Sequence, residues 1–342
     1  MDRRSGSFEP IPVYILFGPT ASGKTAVLAR LFTEGMGDVP VCPAEVVSAD
    51  SMQVYRGLDI GTAKPGPEER RRLPHHLVDI RNPDEQFTAG DFVRLADAAC
   101  VDIARRGKLP VVSGGTGFYL KNFILRLPEA PPSDPEIRAE LKTEFRRRGA
   151  AALMEELRAA DPVSAGRIHL NDEYRLLRAL EVFRLSGRPL SSYAFSGGGT
   201  VNGTADNGSG GARSGLSRPS YRFLIIGLKR PREELYRRIN ERCTAMFRAG
   251  LPEEAAGLWK KGYTPKDPGL RAIGYREFFV EDEGGAYRLS GDFAAVEALA
   301  AQNSRRYAKR QMTYFASLPD VRWMAPEDTP GMRKEISSFL KA

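Results

Sequence analysis

The sequence has few of the residues that build disulfide frameworks and metal centres. Its 342 residues include three cysteines and three histidines. Cys42, Cys100 and Cys243 are far apart and form no C-x-x-C pair. This spacing disfavours a disulfide framework or a zinc site and is typical of a reducing compartment. His75 and His76 are adjacent but have no third ligand at a suitable spacing, which disfavours a metal pair.

Long apolar segments and a guanine-recognition motif are also missing. No apolar run approaches the length of a membrane span, and none follows the first residues of the chain. We therefore expect a cytoplasmic protein with no membrane partner. The Asn-Lys-x-Asp signature of switch GTPases does not occur. The net charge of +8 suits a polyanionic partner, although many basic enzymes bind no nucleic acid.

A phosphate-binding motif lies near the start of the chain. Residues 18–25 match G-x-x-x-x-G-K-[ST] in full, between an apolar segment typical of a strand and one typical of a helix. Such a turn points backbone N–H groups and a helix N-terminus at an anion, and its lysine adds positive charge. The threonine hydroxyl usually completes a Mg²⁺ shell, so we expect Mg²⁺ at Thr25. The predicted polyphosphate site comprises Gly18, Pro19, Thr20, Ala21, Ser22, Gly23, Lys24 and Thr25.

Strands and helices alternate in the segments that follow this motif. Residues 44–50 predict a strand that ends on Asp50, and residues 109–113 predict another. Between them, Thr88 and Asp91 predict the start of a helix. The alternation predicts an α/β fold of the P-loop NTPase type, with a parallel sheet covered by helices on both faces. Its ligands are expected beyond the carboxyl ends of the strands.

The pattern changes after residue 127. Prolines form a linker, and Ser133 is predicted to cap a helix that begins at about residue 134. Helical patterns at 134–148, 151–160 and 172–186 follow with no strand between them. They predict an all-helical insertion in the α/β core.

The remaining boundaries follow from composition. Residues 196–219 are rich in glycine, serine and asparagine and predict a flexible loop. Residues 221–228 return to strand character, and long helices are expected at about 231–249 and 293–317. The predicted organisation is a P-loop core in two parts, 1–127 and 220–342, a helical insertion at 128–195, and the loop 196–219.

Three blocks behind the P-loop carry a specific resemblance. Residues 48–55, 57–65 and 114–119 read S-A-D-S-M-Q-V-Y, G-L-D-I-G-T-A-K-P and G-G-T-G-F-Y. Together they closely resemble the tRNA dimethylallyltransferases, also called tRNA isopentenyltransferases or IPP transferases. The likeness spans nearly the whole chain, with 196–219 as the main departure, and continues through 167–169, 175–181, 274–277 and 309–313.

The resemblance implies a prenyl transfer to tRNA. A dimethylallyl group would pass from dimethylallyl diphosphate to N6 of adenosine 37, next to the anticodon, giving N6-isopentenyladenosine and diphosphate. Asp50 would be the general base, which the weakly nucleophilic adenine amine needs. The P-loop amides, Lys24, Mg²⁺ at Thr25 and Arg242 would stabilise the departing diphosphate.

The resemblance also implies contacts with the anticodon stem-loop, for which the target base must leave its stack. We expect a monomer whose helical insertion helps to clamp this arm. One basic helix face would be formed by Arg305, Arg306, Lys309 and Arg310. We expect this face either to be solvated or to bind backbone phosphates, and the sequence favours neither. The implied tRNA contacts are Asp50, Ser51, Met52, Gln53, Thr116, Arg138, Tyr174, Arg175, Leu176, Leu177, Arg178, Arg271, Gly274, Tyr275, Arg276, Arg306, Lys309 and Arg310.

Two other functions account for parts of the sequence. An ATP-dependent small-molecule kinase would explain the P-loop, with Asp50 as the base for a hydroxyl group. Asp50 would alternatively be a carboxylate near Mg²⁺, as is common in P-loop proteins. An RNA-binding NTPase module without transferase activity would explain the charge. The kinase leaves residues 61–65 and the basic residues of the C-terminal helix unexplained. The RNA-binding module leaves the blocks that contain Asp50 and Thr116 unexplained.

Overall fold

The computed structural model describes residues 9–33, 39–125, 130–193 and 218–342. The chain divides into an α/β unit, residues 1–120 with 200–342, and a helical unit, residues 121–199. The predicted loop 196–219 lies outside the described residues except for Arg218 and Pro219. Within the described part of the chain, no helix is long and apolar enough to cross a membrane.

Six strands form one parallel sheet in the order β3-β2-β4-β1-β5-β8. This arrangement confirms the predicted α/β fold of the P-loop type. Strands β6 and β7 form a separate antiparallel hairpin. The strands are β1 Ile11–Phe17, β2 Ala44–Ser48, β3 His75–His76, β4 Leu109–Gly114, β5 Tyr221–Leu228, β6 Phe279–Glu281, β7 Tyr287–Leu289 and β8 Arg322–Met324.

Eleven α-helices occur in the described residues, with short 3₁₀ turns at Leu190–Tyr193, Gly269–Arg271 and Arg276–Phe278. The helices are α1 Lys24–Phe32, α2 Pro67–Arg72, α3 Ala89–Arg105, α4 Gly117–Leu125, α5 Pro135–Ala160, α6 Pro162–Ala165, α7 Glu173–Ser186, α8 Arg232–Arg248, α9 Leu251–Lys260, α10 Phe293–Phe315 and α11 Thr329–Lys341.

Helices cover the two faces of the sheet because successive side chains of a strand point to opposite sides. In β1, Tyr14 and Leu16 belong to a core cluster that includes Leu28 of α1 and Met332 of α11. The next residue, Phe17, instead packs against Phe315 of α10, with ring centroids 4.6 Å apart. Burial on both faces explains why β1 is a continuous apolar run rather than an alternating one.

The parallel strands bring three loops to one edge of the sheet. The P-loop follows β1, Asp50 follows β2, and Thr116 follows β4. A Cβ on Gly114 would lie 2.1 Å from the Ala49 carbonyl oxygen, so the β2 and β4 ends meet closely only because residue 114 is glycine. This edge is where the sequence predicts the ligand site.

The helical unit packs α5 and α7 around a leucine-rich core. The predicted break between residues 148 and 151 is a kink at Gly149, where φ is 80° and ψ is 164°. The predicted cap at Ser133 is wrong: Asp134 caps α5 by accepting hydrogen bonds from the Glu136 and Ile137 N–H groups. The Ser133 hydroxyl instead donates to the buried Glu181 carboxylate at 2.5 Å.

Candidate active site

The P-loop closes around its own lysine. The Lys24 ammonium group donates to the carbonyl oxygens of Gly18 at 2.9 Å and Pro19 at 3.1 Å. Two residues adopt the left-handed backbone, Gly23 with φ of 101° and Ala21 with φ of 61°. Burial lowers the pKa of Lys24 to about 8, and the opposite charge of Asp50 acts against that shift. A bound anion would therefore gain a strongly desolvated cation as its partner.

Three arginines bind consecutive residues of the P-loop. Arg230 donates to the Ser22 carbonyl and Arg238 to the Ala21 carbonyl, each at 3.0 Å. Arg242 donates to the Thr20 hydroxyl at 3.0 Å. Because Arg238 and Arg242 are one helical turn apart on α8, both point at the same loop. Together the three arginines and Lys24 make a cationic site around the P-loop.

Only Arg242 of these three arginines was predicted from the sequence. The other two could have been found from the position of Arg230, two residues after the end of β5, and from the four-residue spacing of Arg238 and Arg242 on the next helix. Burial lowers the pKa of Arg242, and the charge of Asp50 acts in the opposite direction. The group nevertheless stays protonated at neutral pH, as guanidinium groups do in proteins.

Asp50 lies in a turn that keeps its carboxylate oriented. Its Oδ1 accepts hydrogen bonds from the Met52 N–H at 2.9 Å and the Gln53 N–H at 3.4 Å. Thr116 fixes the same turn from the neighbouring strand end, because its Oγ1 accepts from the Ser51 N–H at 2.9 Å. The turn leaves Asp50 on the wall of a cavity that Lys24 and Arg242 also line.

Gln311 of α10 joins the P-loop to the loop after β4. Its Oε1 accepts from the Thr20 N–H at 2.9 Å, and its Nε2 donates to the Gly115 carbonyl at 2.7 Å. A Cβ on residue 115 would lie 2.6 Å from that nitrogen, which explains the glycine. Tyr307, one turn earlier on α10, interacts with Thr116 and Gln311, and burial raises its pKa to about 12. Neither Tyr307 nor Gln311 was among the predicted site residues.

These groups surround a cavity of about 550 Å³ within the α/β unit. Its polar lining includes P-loop residues, Asp50 and arginines. Its lining also includes the apolar side chains of Ile239, Met246, Phe247, Leu251 and Ile273. The α8 face changes along its length, from Arg238 and Arg242 to Met246 and Phe247. The cavity thus brings cations, a carboxylate and apolar side chains together.

The predicted P-loop residues divide into those that line the cavity, those that hold Lys24, and Ser22, whose side chain is buried. Thr20, Ala21, Gly23, Lys24 and Thr25 line the cavity. The Gly18 and Pro19 carbonyls hold Lys24. The Ser22 side chain is fully buried and its hydroxyl has no hydrogen-bond partner among the described residues, so Ser22 offers a ligand only its backbone.

Most predicted tRNA contacts in the α/β unit belong to the cavity wall: Asp50, Ser51, Met52, Gln53, Arg271, Gly274, Arg276 and Arg310. Tyr275 is an exception, because its side chain is completely buried. The basic residues of α10 have different contacts. Arg306, Lys309 and Arg310 are all exposed, Arg310 also lines the cavity, and Arg305 donates to the Asn240 side chain.

The predicted contacts in the helical unit separate into exposed and internal residues. Tyr174 is 72% exposed and the Arg175 side chain 71%. Leu176 and Leu177 are buried in the core, so their side chains are not available to a ligand. Arg138 and Arg178 both form ion pairs with buried Glu181, at 3.1 and 3.0 Å, and therefore neutralise its charge inside the helical unit.

Comparison with known proteins decides the family. The family model described as "IPP transferase" matches residues 53–318. A tRNA dimethylallyltransferase of Geobacter sulfurreducens is 44% identical over 312 residues, which is 91% of this chain and 90% of that protein. One from Geobacter metallireducens is also 44% identical, over 97% of each chain. The chain belongs to the IPP transferase family.

Solved structures agree with this IPP transferase family assignment. The full-length tRNA isopentenylpyrophosphate transferase of Bacillus halodurans has a TM-score of 0.61 and 33% identity, over 97% of both chains. A eukaryotic dimethylallyltransferase crystallised while acting on tRNA has a TM-score of 0.68 at 24% identity, covering 92% of this chain and 74% of that one. At that identity the second likeness shows the fold alone.

Proposed function

We propose that this IPP transferase family member moves a dimethylallyl group from dimethylallyl diphosphate to N6 of adenosine 37 of a tRNA. The observation that carries the proposal is that Asp50, Lys24 and Arg242 line one cavity, so a proton acceptor and an anion site face the same space. The proteins to which the chain is similar bear the name tRNA dimethylallyltransferase, which favours this activity over that of a small-molecule kinase.

The reaction is a displacement at the first carbon of the prenyl group. The adenine N6 attacks that carbon, the carbon–oxygen bond breaks, and its electron pair leaves with the diphosphate. Asp50 accepts the proton that N6 loses, so charge and atoms balance. Lys24, Arg242 and the P-loop amides bind the negative charge that develops on the leaving oxygen. The apolar side chains of Met246 and Phe247 line the same cavity and would limit the access of water to the reacting carbon.

The residues present fit a Mg²⁺ ion held mainly by the diphosphate itself. Mg²⁺ commonly takes one or two protein oxygens and completes its shell with phosphate oxygens and water. Thr25 and Asp50 both line the cavity and supply a hydroxyl and a carboxylate. Among the described residues, no group of three or more His, Cys, Asp or Glu side chains could hold a metal alone. When bound, Mg²⁺ would neutralise charge on the leaving diphosphate.

The tRNA contacts of this proposal lie on both units. Arg271, Arg276 and Arg310 surround the cavity, where they would meet the backbone beside an extruded adenosine. Tyr174 and Arg175 of the helical unit are exposed and offer a ring and a cation to the anticodon arm. We further propose that the protein works as a cytoplasmic monomer.

The test is incubation of the protein with dimethylallyl diphosphate, Mg²⁺ and unmodified tRNA, followed by digestion and mass spectrometry of the nucleosides. We expect N6-isopentenyladenosine, and none when the diphosphate donor is replaced by ATP. A tRNA with guanosine at position 37 is the matched acceptor control. Phosphate transfer from ATP without prenylation would overturn the proposal in favour of a kinase.

A further inference from the structure

Two irregular segments make up one wall of the cavity. Gly61, Thr62 and Ala63 line it from the loop after Asp50, while Arg271, Ala272, Ile273, Gly274 and Arg276 line it from the segment before β6. They are about 210 residues apart in the chain, and neither lies in the sheet or in an α-helix. Because loops are the most mobile parts of a fold, such a wall needs a specific attachment to hold its shape.

Glu254, on the first turn of α9, provides that attachment. Its carboxylate accepts hydrogen bonds from three consecutive backbone N–H groups, those of Asp59 at 3.1 Å, Ile60 at 3.0 Å and Gly61 at 3.3 Å. The Tyr275 hydroxyl donates to the same carboxylate and accepts from the Gly61 N–H at 3.0 Å. One side chain therefore joins both segments of the wall.

Packing around these hydrogen bonds restricts how the two segments approach each other. The Tyr275 side chain is completely buried. A Cβ on residue 61 would lie 2.4 Å from the Tyr275 ring, so only glycine allows this contact. Residue 274 has φ of 101°, which also favours glycine. The contact between Gly61 and Tyr275 thus sets the spacing of the wall.

The wall is connected in turn to the Asp50 side of the site. The Gln53 Nε2 donates to the carbonyl oxygens of Thr62 at 3.4 Å and Ala63 at 3.3 Å. The Gln53 N–H itself donates to Asp50. Displacement of the loop that contains Gly61 would therefore disturb the turn that orients the carboxylate, whereas the P-loop is held by different groups, Arg230, Arg238 and Gln311.

We propose that Glu254, acting through Tyr275, is a positioning residue for the acceptor. It touches neither substrate, but it fixes the wall that faces the adenosine and the turn that carries Asp50. The inference rests on the proposed prenyl transfer to tRNA. It predicts that loss of the carboxylate impairs use of tRNA and leaves KM for the diphosphate donor nearly unchanged, because misplacement of about 1 Å is enough to cost up to about 10²-fold in rate.

The test compares Glu254→Gln with Glu253→Gln, a matched change at the exposed neighbour on the same helix. The glutamine amide turns a donor toward backbone N–H groups that need an acceptor. For Glu254→Gln we expect kcat/KM for tRNA to fall about tenfold or more, with KM for dimethylallyl diphosphate within about twofold. Glu253→Gln should behave as wild type. Hydrogen exchange should accelerate in residues 58–63 and 271–276 and stay unchanged in the P-loop.

Tyr275→Phe provides a second variant that removes only the hydroxyl group. It should lower kcat/KM for tRNA by a smaller factor than Glu254→Gln does. If Glu254→Gln does not fold, Tyr275→Phe tests the positioning role by itself. The proposal is overturned if Tyr275→Phe and any folded Glu254→Gln match Glu253→Gln, or if KM for the donor rises as much as KM for tRNA. If wild-type protein transfers no prenyl group, the proposed function has failed, and exchange rates in the two segments still decide whether Glu254 holds the wall.

Discussion

At the scale of single residues, the cavity is lined by one carboxylate, Asp50, and by cations around the P-loop. Asp50 is the carboxylate that its turn points into the cavity, while Lys24, Arg238 and Arg242 surround the P-loop. The cations also lie within the electrostatic field of Asp50, since its charge raises the pKa of Lys24 and of Arg242 against the effect of burial.

We expect Asp50→Asn to fold and to bind tRNA but to lose at least about 10²-fold in kcat, because the proton acceptor is gone while the shape is kept. Single-turnover rates at saturating tRNA and donor measure this change. The asparagine keeps an oxygen that accepts the Met52 and Gln53 N–H hydrogen bonds. A kcat within about threefold of wild type would remove Asp50 from the chemical step.

We expect Lys24→Ala and Arg242→Ala to weaken use of the donor by about 10- to 100-fold in kcat/KM, since a charge-assisted hydrogen bond contributes about 1.5–3 kcal/mol. Inhibition by inorganic diphosphate should weaken in parallel. The control is Arg237→Ala on α8, whose side chain is 63% exposed and paired with Glu241. Unchanged donor kinetics in Arg242→Ala would show that its hydrogen bond to Thr20 has only a structural role.

The pKa of Lys24 predicts a specific pH dependence. Because burial lowers it to about 8, the charged fraction of Lys24 in the free protein falls as pH rises through that value. We expect kcat/KM for the donor to decline above about pH 8, and kcat at saturating donor to decline at higher pH, because bound diphosphate favours the charged amine. Lys24→Arg, which stays charged, should lose this decline. A wild-type profile that is flat to about pH 10 would contradict the assignment.

At the scale of elements, two helices assemble the site from separate parts of the chain. Helix α8 supplies Arg238 and Arg242 to the P-loop, and α10 supplies Gln311, which joins that loop to Gly115. Residues that recur every three or four positions share a helix face, so each helix delivers several groups to the cavity at once. Arg306 and Lys309 lie elsewhere on α10 and remain exposed.

These two exposed residues carry a prediction about phosphate binding. If they contact the tRNA backbone, Arg306→Ala/Lys309→Ala should weaken binding of all tRNAs equally and lower the salt slope by about 0.7–0.9 for each phosphate that is no longer neutralised. Choice of adenosine should persist, because phosphate contacts carry little base information. Affinity is measured over a salt series, with Lys334→Ala/Lys341→Ala on α11 as a control of equal charge change. Equal slopes for both double variants would place the tRNA elsewhere.

At the scale of the whole molecule, the chain forms two compact units whose interiors are built differently. The α/β unit is built on a parallel sheet buried on both faces, whereas the helical unit encloses an ion-pair network. In that network, the Glu181 carboxylate is fully buried and binds Arg138, Arg178 and Ser133. Removal of one partner from a buried charge network is strongly destabilising.

We expect Glu181→Ala to destabilise the helical unit by about 3 kcal/mol, because two guanidinium groups lose their buried partner. Native-state hydrogen exchange should show the loss in residues 135–186, and KM for tRNA should rise while KM for the donor stays constant. Glu173→Ala, at an exposed position of the same helix, is the control. Unchanged exchange in Glu181→Ala would mean that the network is not stabilising.

The sequence by itself determined the fold class, the phosphate-binding motif and the family. Continuous apolar runs such as β1 predict strands buried on both faces, and Gly23 of the P-loop adopts the left-handed backbone that favours glycine. The capping pair Thr88 and Asp91 marked the start of α3 correctly because the two side chains bond neighbouring backbone groups. Each of these features leaves a pattern within a few consecutive residues of the sequence.

Only the tertiary structure decided which side chains meet. The Gln311 bridge spans 291 residues to Thr20, and the Glu254 attachment spans 194 residues to Ile60. The burial of Leu176 and Leu177 and the exposure of neighbouring Tyr174 depend on how α7 packs. Ser133 does not cap α5, because its hydroxyl donates to the buried Glu181 carboxylate instead. Hydrogen bonds and burial between distant segments depend on where the folded backbone places each side chain, and no local pattern of residue types contains that information.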